Sequence, residues 1–102
     1  VTILKGSGTV IALPDDKIFI CPTGNSAMAS GGMGDTLTGI VSGLVAQGFS
    51  AKDACAAGVY IHGLCGDMVL KKRGAFGFTA TDIIKNLPET LSSILSITNS
   101  TY

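Results

Sequence analysis

Gly31-Gly32-Met33-Gly34-Asp35 is the stretch of this chain best suited to chemistry. It stands directly before a segment in which Leu37, Ile40, Val41, Leu44 and Val45 recur at helical spacing. A helix start leaves backbone N–H groups without intrahelical partners and carries a partial positive charge. Glycines let that backbone approach an anion with no side chain between them. Phosphate is therefore the natural ligand. The loop is not a Walker A motif, because no Gly-Lys-Ser/Thr follows it. Asp35 has two readings. It is either a stabilising anion at the positive end of the helix or a general base. A base here would take a proton from a substrate hydroxyl beside the bound phosphate, as in phosphoryl transfer. A carboxylate next to a phosphate is repelled, so this second role requires a metal ion or anion-hole donors.

The elements that must position these residues are readable in outline. Thr9–Leu13 and Lys17–Cys21 are strand-like runs joined by Pro14-Asp15-Asp16, which has turn chemistry, and the pair predicts a β-hairpin. Val1–Leu4 is a third apolar run, or a buried parallel strand ending at Lys5-Gly6. The glycine-rich loop runs from Cys21 to Asp35, longer than an ordinary connection, and such length points to function or disorder. A helix is expected from Asp35 to about Gly48, where glycine can end it. Ser50, with Asp53 at the N3 position, opens a second helix running to about Lys72. That helix is apolar around most of its circumference, which predicts burial on both sides. Its small residues Ala56, Ala57, Gly58, Gly63 and Gly66 would let neighbouring helices approach closely. After a loop at Gly74–Phe78, Thr79 can cap a short helix with Asp82 at N3. Pro88 marks the start of a separate last helix, and Thr98–Tyr102 is expected to fray.

Composition narrows the class. The 102 residues permit one small domain, yet 46% are hydrophobic and 14% charged. A typical soluble domain is about a quarter charged, and a small one needs more polar surface, not less. Cover from the rest of a longer chain, a partner subunit, or both is therefore expected. The net charge is zero, with no basic stripe or acidic tail, so nucleic acid is not an expected partner. Lys71, Lys72 and Arg73 read as a solvated helix end. Cys21, Cys55 and Cys65 are odd in number and lack CxxC spacing, which suits a reducing compartment and small buried side chains. No signal peptide opens the chain, and no uncharged apolar run reaches the ~18 residues of a membrane span. A soluble, cytoplasmic protein with no membrane partner is the expectation.

Asn25-Ser26-Ala27-Met28-Ala29-Ser30-Gly31-Gly32-Met33-Gly34-Asp35-Thr36-Leu37-Thr38-Gly39-Ile40 resembles the NxxMAxGGxGDxLTGI signature of the ADP- or ATP-dependent NAD(P)H-hydrate dehydratases, members of the ribokinase-like superfamily. Lys5-Gly6-Ser7-Gly8-Thr9-Val10-Ile11 is similar to the KGxxTxI segment of that family, and Gln47-Gly48 and Tyr60-Ile61-His62-Gly63 also fit. The resemblance covers roughly residues 1 to 95. The GxGD core occurs in many ribokinase-like kinases, whereas the MA and LTG flanks are much more specific.

The resemblance implies an α/β fold, here the C-terminal part of a three-layer α/β/α domain. It makes Asp35 the catalytic base, at the hydrated nicotinamide. Gly32, Met33 and Gly34 would supply anion-hole N–H groups. Lys5, Gly6, Ser7, Gly8, Thr9, Asn25 and Gly34 would contact the nucleotide, with Lys5 as the neutralising cation. By itself Lys5 reads as an exposed lysine at a strand end. The implied reaction removes water from hydrated NADH or NADPH at the expense of ADP or ATP, with magnesium bridging phosphate oxygens. The implied alternatives are a ribokinase-like vitamin or sugar kinase and a nucleotide-binding module without catalysis. No protein metal site is expected. His62, with no second ligand at i+4, reads first as a core or interface histidine. Gly39 to Gly43 is a GxxxG match that here means close helix packing. Phe76 and Phe78 either cover adenine or pack in the core. The apolar long helix points to a homo-oligomer.

Overall fold

A computed structural model describes residues 2–4, 9–14, 17–21, 23–25, 28, 32–74 and 79–101. Among the described residues three short strands come first: β1 Thr2–Leu4, β2 Val10–Ala12 and β3 Ile18–Ile20. Three helices follow: α1 Met33–Ala46, α2 Ala51–Arg73 and α3 Ala80–Thr101.

The hairpin forms as the turn chemistry predicts. Strands β2 and β3 pair antiparallel with Val10 opposite Ile20 and Ala12 opposite Ile18. The Leu13 N–H donates to the Lys17 carbonyl at 2.9 Å, closing the turn end. At the other end the Cys21 N–H donates to the Thr9 carbonyl at 2.8 Å. Strand β1 pairs antiparallel with β2, placing Thr2 opposite Ala12, so the order is β1-β2-β3. The reading of β1 as a parallel strand does not hold for this sheet. Residues 5–9 are too few for the crossover that parallel neighbours require.

The Ser50 cap forms as predicted, while at the start of α3 the carboxylate of Asp82 closes back on Thr79 and the Thr79 hydroxyl caps no helix N–H. Ser50 accepts a hydrogen bond from the Asp53 N–H at 3.1 Å and so satisfies one donor at the start of α2. Asp82 accepts from the Thr79 N–H at 2.8 Å and the Thr79 hydroxyl at 3.1 Å, opening α3. Helix α1 ends at Ala46, and Gly48 follows with φ 103°, a left-handed conformation suited to glycine.

The last helix corrects the sequence reading. No separate helix starts at Pro88; one helix runs through it and continues to Thr101, across the polar stretch expected to fray. Ile83 and Thr90, on either side of Pro88, are both fully buried. Packing on both flanks holds the two halves in line despite the missing proline N–H.

The core has two clusters. Ile11, Leu13, Cys21, Leu37 and Val59 join the sheet to α1 and α2. Met33, Cys65, Val69 and Ile83 join the start of α1 to α2 and α3. Helices α1 and α2 approach closely where Gly58 faces Val41: a Cβ on Gly58 would lie 2.6 Å from a Val41 methyl. The basic end of α2 does more than meet solvent. Lys72 pairs with Glu89 and Arg73 with Asp82, both on α3.

Candidate active site

The glycine-rich loop delivers the chain to α1 through Gly32, the N-cap, whose φ of 86° is left-handed. An L side chain there would be strained, and its Cβ would sit 3.2 Å from the Cβ of Ala80. Met33 opens the helix with its side chain 2% exposed in the second core cluster. The start of α1 is thus anchored by a core residue. The first-turn N–H groups of Met33, Gly34 and Asp35 precede the intrahelical ladder and point out of the helix end. Thr36 begins that ladder: its N–H and hydroxyl both donate to the Gly32 carbonyl at 3.0 Å.

Gly32, Gly34 and Asp35 are exposed at the start of α1, with Gly34 and Asp35 lining recesses on different sides of the helix. Asp35 opens onto a recess of about 370 Å³. Thr36, Gly39 and Ile40 of α1 form one wall, and Ile84 and Leu87 of α3 form the other. Ile84 and Leu87 did not stand out in the sequence, because helical spacing alone gives them no mark distinct from core residues. A second recess of about 350 Å³ lies on the other side of α1, where Gly34, Leu37 and Val41 face Ile3 of β1.

Upstream, the loop is seated on α2. The Thr23 hydroxyl donates to the Tyr60 carbonyl at 3.0 Å. A Cβ on Gly63 would lie 2.7 Å from the Thr23 carbonyl carbon, and one on Gly66 2.8 Å from Met28 Cγ. Of the small residues on α2, Gly58 therefore serves helix packing, while Gly63 and Gly66 make room for the loop. Asp67 accepts from the Gly24 N–H at 3.0 Å and from the Asn25 side-chain amide at 2.8 Å. Asn25 is thus held against α2 by a residue that the sequence reading passed over. The available signal was a carboxylate set in an otherwise apolar stretch of helix.

Thr9 is half-buried beside Cys21, so the upstream segment and the glycine-rich loop leave the same end of the hairpin. Lys5, Gly6, Ser7 and Gly8 lie outside the described residues, as do Phe76 and Phe78. His62 is buried in α2, in keeping with a core histidine. Among the described residues there is no group of three or more His, Cys, Asp or Glu side chains placed to hold a metal ion. No described helix is long and apolar enough to cross a membrane. The described cysteines are free thiols; Cys21 and Cys65 are buried and Cys55 half-buried. Burial pushes the Cys65 thiol above its ordinary pKa, and its Sγ donates to the Ile83 carbonyl.

Comparison with known proteins bears on this arrangement. The family profile of the NAD(P)H-hydrate dehydratases matches residues 1–89. The bifunctional NAD(P)H-hydrate repair enzyme Nnr of Moorella thermoacetica is 46% identical over 94 residues, 92% of this chain and 18% of that protein. The ADP-dependent (S)-NAD(P)H-hydrate dehydratase of Bacillus subtilis is 41% identical over 88 residues, 86% of this chain and 32% of that protein. The crystal structure of the ADP/ATP-dependent NAD(P)H-hydrate dehydratase of Bacillus subtilis, co-crystallized with ATP and Mg2+, superposes with a TM-score of 0.84. It is 38% identical and matches 90% of this chain and 34% of its own. The chain therefore spans about a fifth of the bifunctional relative and a third of the Bacillus dehydratase. The fold of the described residues is that of these dehydratases, and the chain belongs to the NAD(P)H-hydrate dehydratase family.

Proposed function

We propose that the complete protein carrying this chain repairs hydrated NADH and NADPH by nucleotide-dependent dehydration. The observation that carries this reading is the exposed Asp35 carboxylate in the first turn of α1, between open backbone N–H groups and an apolar recess. In this reading Asp35 takes the proton of the hydrate hydroxyl. The freed oxygen attacks the terminal phosphoryl of ADP or ATP and expels AMP or ADP; departure of phosphate, with loss of the adjacent ring proton to solvent, then restores the reduced nicotinamide. The N–H groups of Met33 and Gly34, with that of Gly32 at the cap, stabilise the charge on the transferred phosphoryl. Lys5 to Thr9 and Asn25 hold the nucleotide. Among the described residues, Asp35 is the one acidic residue lining the recess, a donor set that suits magnesium carried on the nucleotide phosphates. When bound there, magnesium would neutralise phosphate charge and ease the approach of the carboxylate. The matched family does not favour a vitamin or sugar kinase.

The chain is further proposed to be the nucleotide-binding C-terminal part of a three-layer α/β/α ribokinase-like domain in the cytoplasm. Ile18 and Ile20 on β3 are 65% and 72% exposed, and the second recess between β1 and α1 is apolar. These surfaces suit cover by the remaining two thirds of such a domain. Phe49 and Tyr60, also exposed, are offered as contacts of a homo-oligomer.

The test combines the complete protein with hydrated NADPH, magnesium, and ADP or ATP in turn, and follows the return of reduced-nicotinamide fluorescence. Recovery is expected with one nucleotide or both. Asp35→Asn is expected to lower kcat by a factor on the order of a thousand while nucleotide still binds. Full turnover in Asp35→Asn would remove the base assignment. No recovery from a folded protein that binds nucleotide would remove the reaction.

A further inference from the structure

Asp67 holds the loop at two adjacent points, the backbone of Gly24 and the side chain of Asn25. An ionised carboxylate only accepts hydrogen bonds. Asn25 must therefore turn its Nδ2 toward α2, which fixes the side of the amide that carries Oδ1. Seating of the loop is supplied separately, by the fit of Thr23 on Gly63 and of Met28 on Gly66 and by the Thr23–Tyr60 hydrogen bond. The carboxylate is thus not needed to bring the loop onto α2. It sets the direction in which Asn25 presents its polar atoms.

We infer that Asp67 is a positioning residue for nucleotide binding, acting through the amide of Asn25 and the backbone of Gly24. The inference rests on the reading of Asn25 as a nucleotide contact. The experiment uses the complete protein with Asp67→Asn and with the exchanged pair Asn25→Asp/Asp67→Asn. Calorimetric Kd for ADP and ATP, melting temperature, and kcat and KM are measured for each. In the exchanged pair, Asn at 67 accepts from Gly24 and donates to Asp at 25, so both hydrogen bonds are restored with one reversed.

Asp67→Asn is expected to raise nucleotide Kd and KM about tenfold, the scale of one hydrogen bond to a charged group, with a smaller change in kcat. The exchanged pair is expected to regain the melting temperature but not the nucleotide affinity, because its position 25 carries a carboxylate. Nucleotide affinity that falls in Asp67→Asn only in proportion to the melting temperature would make Asp67 a structural brace and overturn the inference. Unchanged nucleotide affinity in Asp67→Asn would overturn it as well, even with dehydration intact in the parent. A parent that binds nucleotide through Asp67 but does not dehydrate the hydrate would defeat the proposed reaction and leave the positioning role standing.

Discussion

No side chain fits between Gly63 of α2 and Thr23 of the glycine-rich loop. The obstacle is the Thr23 hydroxyl and, behind it, the Thr23 backbone carbonyl, which cannot rotate aside as a flexible side chain would. Gly63→Ala is therefore expected to destabilise the complete protein by about 1–3 kcal/mol, as overpacking does. The loop would also lift from α2, so nucleotide affinity should fall with it. Thermal melts and calorimetric titration with ADP check both effects. A variant that melts and binds like the parent would show that the loop can shift without consequence.

The pH dependence of stability follows from Asp82. The Thr79 backbone N–H is the main influence holding its carboxyl below the ordinary value. Burial opposes this, and the Thr79 hydroxyl, Arg73 and Lys85 add to the lowering. A depressed folded value means that the carboxylate stabilises the fold above the ordinary aspartate pKa of about 3.9. That contribution is lost as the pH falls through the folded value. The melting temperatures of the parent and of Asp82→Asn should differ near neutrality and converge in acid. Curves that stay parallel down through that range would contradict the assignment.

Pro88 sits inside α3 on its exposed side. It leaves the Ile84 carbonyl without its intrahelical donor and strains the preceding turn. Pro88→Ala is expected to stabilise the protein by about 1–3 kcal/mol, the scale of the proline penalty in helices. Denaturant unfolding of the two proteins measures the gain. A loss of stability would mean that the ring itself packs against something.

The difference between what the sequence declares and what it conceals follows the range of the interactions. Ser50 with Asp53, and Thr79 with Asp82, are three residues apart, and both pairings were legible. So was the turn at Pro14, because its chemistry is local. The glycine-rich stretch before α1 was legible for the same reason. Pro88 misled because the proline rule is local, while the contacts that carry the helix through it come from Ile83 and Thr90 of α3 packing against α2. The link from Asp67 to Asn25 spans 42 positions, and nothing at either end names the other. Gly63 and Gly66 announced a close approach without saying that a loop, not a helix, would make it. Antiparallel pairing of β1 was hidden behind an apolar run that suits either direction.

Met33 joins the candidate site to the core within a single residue: its backbone faces the proposed anion and its side chain sits with Cys65, Val69 and Ile83. The start of α1 therefore cannot fray as helix ends usually do, because unwinding it would draw Met33 out of the α2–α3 interface. Amide hydrogen exchange early in α1 should then report the opening of that interface rather than a local event. Geometry suited to holding a phosphoryl group would persist for as long as the protein stays folded, before any ligand arrives.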